Sequence, residues 1–205
     1  MTLNPVEIRA RIQALRKSQD PAIAHAASVK ACHSLLAAVP SDRWKGLTIA
    51  LYHPTPDELD TGLMAQGLKE AGARLFYPRI ADQHTRRLEF AEITAGPGTW
   101  VKGLYGINEP SPEHAPVPID YIDVIVMPGV AFGESGERLG MGVGFYDRAL
   151  AGVYRPLRIA LAFDFQLLPS LPQKEWDQKV DWILTERRDI RNPKVTDWLL
   201  RKAQP

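Results

Sequence analysis

Tyr121-Ile-Asp-Val-Ile-Val-Met-Pro-Gly-Val-Ala-Phe-Gly-Glu-Ser-Gly-Glu-Arg-Leu-Gly-Met-Gly-Val-Gly-Phe-Tyr-Asp-Arg148 leads from an apolar run through a glycine loop towards a helix. Residues 121–127, centred on Val124, Ile125 and Val126, are apolar without alternation, which predicts a strand covered on both faces, as in a parallel sheet. Gly140, Gly142 and Gly144 follow at every second position, behind Arg138 and ahead of Tyr146 and Asp147. Glycine lets a backbone come close to a ligand and adopt turns that other residues resist. A run of inward-turned amides forms an anion-binding nest. The helix predicted over residues 145–151 would add its N-terminus, which also favours a phosphate.

Outward from that stretch, apolar strands and helical patterns alternate. Asn4, Pro5 and Glu7 form a helix start, with a cap, a first-position proline and an acid at the third position. Ile8, Ile12 and Leu15 then mark one face at helical spacing. A second helix is predicted over 21–39 and a third over 61–71, closed by Gly72. Strands are predicted over 47–52, over 74–77 with Pro78 as the stop, and over 88–93. Residues 95–120 are rich in Gly and Pro and read as loop. Further strands are predicted over 157–163 and 180–185, with a terminal helix over 193–202. The alternation predicts a three-layer α/β fold: a mostly parallel, Rossmann-like sheet with helices on both faces.

Composition narrows the class. The 205 residues suit a single domain spanning 1–205, and 45% hydrophobic content is ample for a core. Lys plus Arg total 25 against 24 for Asp plus Glu, a net charge of +1, so no overall basic excess points to nucleic acid. Cys32 stands alone, which suits a reducing compartment. The first fifteen residues carry Glu7, Arg9 and Arg11 and so lack an apolar signal core, and no apolar run reaches membrane length. A cytoplasmic protein with small-molecule partners is expected, with neither nucleic acid nor membrane.

Ligands of open parallel sheets bind beyond the carboxyl ends of the strands. Three features are expected there: the 53–61 segment, the 128–148 loop and Asp181. The loop is no Walker motif, because no Gly-Lys-Ser/Thr follows. A dinucleotide fingerprint is the nearer rival, since Asp164 lies 20 residues beyond Gly144, but about a dozen residues separate strand from glycines. A glycine turn without ligand is the plainest alternative. Arg138 offers forked donors to phosphate oxygens, and Asp147 an oxygen ligand for Mg2+; as plain structure, they are a solvated arginine and an acid in the first helical turn. Asp57, Glu58 and Asp60 suit a basic or amide-bearing substrate, or simply a turn. The five histidines lack metal spacing, and no nucleophile elbow is present.

The residues also resemble a known family. Pro128-Gly129-Val-Ala-Phe132 followed by Arg138-Leu-Gly-Met-Gly-Val-Gly-Phe-Tyr-Asp147 is similar to the signature of the 5-formyltetrahydrofolate cyclo-ligases, also called methenyltetrahydrofolate synthetases. Supporting stretches are Asp57-Glu-Leu-Asp-Thr61, Phe76-Tyr-Pro-Arg79, Gly106-Ile-Asn-Glu-Pro110 and the segment from Val180-Asp181 to Thr185. The resemblance implies use of MgATP to convert 5-formyltetrahydrofolate into 5,10-methenyltetrahydrofolate, with release of ADP and phosphate. Phosphoryl transfer needs positioning and charge stabilisation rather than a protein nucleophile, which fits the residues.

The same resemblance assigns roles. Arg9 and residues Arg138, Leu139, Gly140, Met141, Gly142, Val143, Gly144, Phe145 and Tyr146 would hold ATP. Arg138, Tyr146 and Asp147 would serve catalysis, and Asp147 and Asp181 would hold Mg2+. Thr55 and Asp60 would contact the folate, with Tyr52 and Tyr105 flanking its pterin; a monomer is expected. Pro5, Gly133 and Val143 depart from the family's pattern. They leave a folate- or nucleotide-binding regulator without turnover as the alternative, with a dinucleotide-dependent oxidoreductase behind it.

Overall fold

The computed structural model describes residues 4–94 and 98–201. Residues 1–3, 95–97 and 202–205 lie outside it, and with them the start of the N-terminal stretch, part of the loop predicted over 95–120 and the last residue of the predicted terminal helix.

The helix starts follow the sequence. Asn4 Oδ1 accepts from the amides of Val6 and Glu7, and Glu7 Oε2 accepts from Asn4 N, closing a capping box on α1 (Pro5–Ser18). Asp20 caps α2 (Pro21–Ala38). Then come β1 (Thr48–Ala50), α3 (Gly62–Glu70), β2 (Arg74–Asp82) and β3 (Arg87–Glu92). A ribbon of β4 (Trp100–Lys102) and β5 (Asn108–Pro110) precedes β6 (Pro116–Val117) and β7 (Val124–Val126). The glycine loop follows a hairpin of β8 (Ala131–Gly133) and β9 (Arg138–Leu139) and opens α4 (Phe145–Ala149). β10 (Leu157–Leu161), β11 (Leu167–Leu168), β12 (Trp182–Leu184), β13 (Asp189–Arg191) and α5 (Pro193–Leu200) complete the chain.

The main sheet has the order β13-β12-β10-β7-β1-β2-β3-β6. Its five central strands, β12 to β2, are parallel; β13 and β3 pair antiparallel with them at either side. Successive strand residues point to opposite faces. Ile49, Leu51, Val124, Val126 and Trp182 therefore pack with Leu35, Met64, Leu68 and Val195 of α2, α3 and α5. Ala50, Phe76, Ile125, Ala160 and Ile183 face the layer that contains α4. A third cluster joins Ile8 and Ile12 of α1 to Val130, Ala131 and Leu139 of the hairpin. The predicted three-layer α/β fold is the one the chain forms.

Two expectations need correction. β2 does not stop at Pro78. Phe76 O accepts from Leu51 N, so Pro78, two residues on, turns towards the same side, where β1 has already ended. The missing N–H costs no ladder bond there. The Gly- and Pro-rich 95–120 region is also not mere loop, since it carries the β4–β5 ribbon and β6.

Candidate active site

Chain direction reverses between β1 and β7: the path runs outward to β2 from one and to β10 and β12 from the other. Ligands of open α/β sheets bind at such a switch point, beyond the carboxyl ends. The loops leaving β1 and β7 carry the 53–61 segment and the glycine loop.

Short-range geometry explains the loop. A Cβ on Gly140 would come within 2.9 Å of Arg138 Nη1, so a side chain there would have to displace the guanidinium that holds Asp147. Gly142 has φ +99°, a left-handed conformation disfavoured for side chains. Arg86 is the one positive-φ residue besides glycine among the described residues, so Val143 keeps ordinary backbone and its departure from the family pattern does not strain the loop. Among the described residues, no backbone or side-chain acceptor takes the amides of residues 141–146. Those donors remain available to an anion.

Arg138 lies under this loop, 7% exposed. Its Nη1 donates to Pro128 O at 3.2 Å and its Nη2 to Asp147 Oδ1 at 2.7 Å, while Nε is buried without a partner among the described residues. Two of the guanidinium's N–H donors thus hold Asp147 and the loop base, and its charge lies beneath the loop. Gln178 N donates to the same Oδ1 at 3.1 Å, leaving Asp147 Oδ2 without a protein donor among the described residues. Arg9 Nε donates to Gly140 O at 2.8 Å, tying α1 to the loop. Met141 is exposed and its sulfur accepts from Gln13. Leu139 is the exception in this set: its side chain packs with Ile8 and Ile12, away from the loop.

The other wall follows β1. Tyr52 is buried, and its hydroxyl donates to Leu59 O at 3.1 Å. Burial, then the Glu58 carboxylate, hold its phenol well above the usual range. Tyr146 is raised by burial against the opposing charge of Arg138, with Glu58 again contributing. Both phenols stay protonated near neutrality, and Glu58 lies within electrostatic reach of both walls. Glu58 Oε2 accepts from Thr55 N, and Thr55 Oγ1 donates to Asp57. Arg16 of α1, 6% exposed, meets Asp57 Oδ2 at 3.2 Å and Glu58 Oε1 at 3.5 Å.

Trp100 of the β4–β5 ribbon lies edge-on to His53 at 5.3 Å and to Tyr77 at 4.9 Å between centroids. Asn108 Nδ2 sits 2.9 Å from His53 Nε2. These aromatic rings extend the wall beyond β1 and β2, where a flat heterocycle can stack. The sequence placed the 53–61 segment at the site but assigned no role to the His53, Tyr77 and Trp100 rings, which come from three separate segments.

Three expected site residues, and the acid of the rival dinucleotide reading, fall elsewhere. Tyr105 stands in the exposed turn of the ribbon; Trp100, also exposed, is the ribbon ring that meets His53 and Tyr77. Asp60 is exposed and caps Gly62 N, while its backbone bonds Ser28 and Cys32 of α2; Glu58 is the inward carboxylate. Asp181 precedes β12, at the amino end of the sheet, and accepts from Arg158 N, Asn192 Nδ2 and Lys194 Nζ. Both of its oxygens are thus taken by protein donors. Asp164, the acid of the dinucleotide reading, is taken by Thr185 Oγ1 at 2.9 Å and Arg188 Nε at 2.7 Å. Among the described residues, no group of three His, Cys, Asp or Glu side chains is placed to hold a metal, and no helix is long and apolar enough to cross a membrane.

The switch point of the open α/β sheet thus brings together uncommitted amides, a carboxylate and three aromatic rings. Residues 4–186 match the 5-formyltetrahydrofolate cyclo-ligase family, and the chain belongs to that family. It is 34% identical over 154 residues to the 5-formyltetrahydrofolate cyclo-ligase of Escherichia coli K12, covering 74% of this chain and 81% of that one. The NMR structure of Aquifex aeolicus 5,10-methenyltetrahydrofolate synthetase superposes with TM-score 0.77 at 29% identity, over 91% of this chain and 92% of that chain. A 5,10-methenyltetrahydrofolate synthetase from Mycoplasma pneumoniae, at 23% identity and TM-score 0.74 over 90% of this chain and all of its own, shares the fold.

Proposed function

We propose that this chain is a 5-formyltetrahydrofolate cyclo-ligase, converting 5-formyltetrahydrofolate and ATP into 5,10-methenyltetrahydrofolate, ADP and phosphate, and that its described elements act as one domain. The observation that carries the reading is the row of unclaimed amides at 141–146, next to Asp147 and across from Glu58. The amides bind the ATP phosphates, with the Arg9 guanidinium, half-buried at Gly140, beside them. Arg138 contributes positive charge from below and orients Asp147.

The formyl oxygen attacks the terminal phosphorus and ADP leaves. The neighbouring folate nitrogen then adds to the activated carbon, loses its proton, and phosphate departs. No protein nucleophile is required; the chain holds the two substrates in line and stabilises transferring charge. Tyr146, neutral and under the loop, is placed to donate a hydrogen bond rather than to ionise. Glu58 would accept N–H groups of the pterin, and the His53, Tyr77 and Trp100 rings would enclose its faces.

Asp147 fits a magnesium ion, because one oxygen is anchored by two donors and the other is free. With a single protein carboxylate, the ion would take its remaining ligands from water and phosphate, as magnesium commonly does. When bound it would neutralise phosphate charge.

The test is direct. Purified protein given 5-formyltetrahydrofolate develops methenyl absorbance only when MgATP is present. Folate and nucleotide binding without product would instead support the non-catalytic alternative.

A further inference from the structure

The first helix touches both walls of the site with one face. Arg9, Gln13 and Arg16 are spaced four and three residues apart, so they share that face. Arg9 Nε holds Gly140 O, and Gln13 meets Met141 Sδ. Seven residues on, about 10 Å along the axis, Arg16 reaches the other wall. Its Nε donates to Asp57 O at 2.9 Å, and Nη2 meets both carboxylates. Ile8 and Ile12 fix the helix to the hairpin that carries the glycine loop. The helix therefore belongs to the nucleotide wall, and Arg16 is its polar link to the folate wall.

A charge as buried as Arg16 is costly unless paired. Here two carboxylates and a carbonyl meet one guanidinium, so displacing the 55–58 segment would strip a buried cation of its partners. Glu58 takes Thr55 N with one oxygen and Arg16 with the other. Its position towards Tyr52 and Tyr146 is thereby set from behind.

Resting on the function proposed above, we propose that Arg16 is a positioning residue through which α1 couples the two substrate sites: nucleotide engaged by the glycine loop sets the 55–58 segment for the folate. Arg16 touches neither substrate. It acts through Asp57 and Glu58, and by linkage the effect is reciprocal.

The experiment is a binding cycle on the full chain. Affinity for a reduced folate lacking the formyl group is measured by titration calorimetry, with and without a non-hydrolysable ATP analogue and Mg2+. In the parent protein the analogue tightens folate binding, by about 5–150-fold on the usual scale of such coupling. Arg16→Lys keeps the charge but loses the fork, and its ratio falls towards one while analogue affinity alone changes less than about twofold. Asp57→Asn removes the nearer carboxylate with Arg16 intact and loses coupling in the same way, which covers a failure of Arg16→Lys to fold. A merely structural arginine would lower Tm and leave the ratio unchanged. Unchanged ratios in either folded variant, or no coupling in the parent protein, overturn the proposal. A parent protein that binds neither ligand overturns the underlying function as well.

Discussion

Asp147 and Asp181 are the same side chain at two parts of one fold, and they are treated oppositely. Each accepts a backbone amide and meets a cation. Asp181, at the amino end of β12, gives one oxygen to Asn192 and the other to Arg158 N and Lys194. Asp147, by the carboxyl-end loop, places two donors on one oxygen and leaves its other oxygen free. Asp123 repeats the Asp181 pattern before β7, two strands away, taking Thr48 N and Oγ1 with one oxygen and Arg155 with the other. At the amino end, these carboxylates join strands together. Beside the glycine loop, acceptors and donors are held in place and left unspent. An unspent polar group beside a built recess marks a ligand site better than the residue type does.

The largest effect should separate the two aspartates. Asp147→Asn keeps the hydrogen-bond geometry but removes the charge, and turnover is expected to fall about 10²–10³-fold, the scale of losing one transition-state stabiliser. Asp181→Ala should instead cost about 1–3 kcal/mol of stability by leaving polar partners unpaired, with kcat per folded molecule near that of the parent. Methenyl absorbance and thermal melts on both variants check this; the reverse pattern would break the comparison.

A smaller effect separates two glycines. Gly142 (φ +99°) and Gly152 (φ +73°) both have left-handed backbone. Alanine at either should cost roughly 1–2 kcal/mol of strain. Only at Gly142, where the new Cβ would meet the Arg9 guanidinium at 3.5 Å, should KM for ATP also rise. Equal KM values in the two folded variants would detach that loop from the nucleotide.

Next come the carboxylates after β1. Glu58→Gln should raise KM for the folate by about tenfold, the effect of a lost charged hydrogen bond of roughly 1.5 kcal/mol. Asp60→Asn should raise it less, since the exposed Asp60 side chain caps Gly62. A larger effect at Asp60 would restore the assignment suggested by sequence resemblance.

The smallest effect lies behind that wall. Burial raises the Cys32 thiol from 9.0 to about 11. The neutral thiol is the form the fold favours, so its contribution is complete below pH 9, and is lost as pH rises towards 11. The denaturant midpoint should fall across that window, and less steeply in Cys32→Ala.

Much of this was legible in the sequence. The uninterrupted 121–127 run gave a central strand, and the Asn4 cap marked the start of the first helix because a cap is a local device. The glycine spacing located the loop. What escaped notice was non-local. Trp100 meets His53 and Tyr77 only after the ribbon folds over two strand ends, and its Gly- and Pro-rich flanks concealed the short strands. Glu58 and Asp60, two residues apart, could not be ranked until the turn showed which one faced inward. Asp181 was misplaced because proximity to a strand in sequence does not say which end of the sheet it occupies.

The passage of β2 through Pro78 protects the chain as well as extending the sheet. Past the end of β1, this edge would otherwise present donors to any stray extended segment. Pro78 has none to offer, and the next amide on that side, at Ile80, is already held by Glu109 at 3.2 Å. The overhang can therefore stay long enough to roof a ligand without inviting another molecule to zip onto it. Replacing Pro78 would add one unpaired donor to that side of β2.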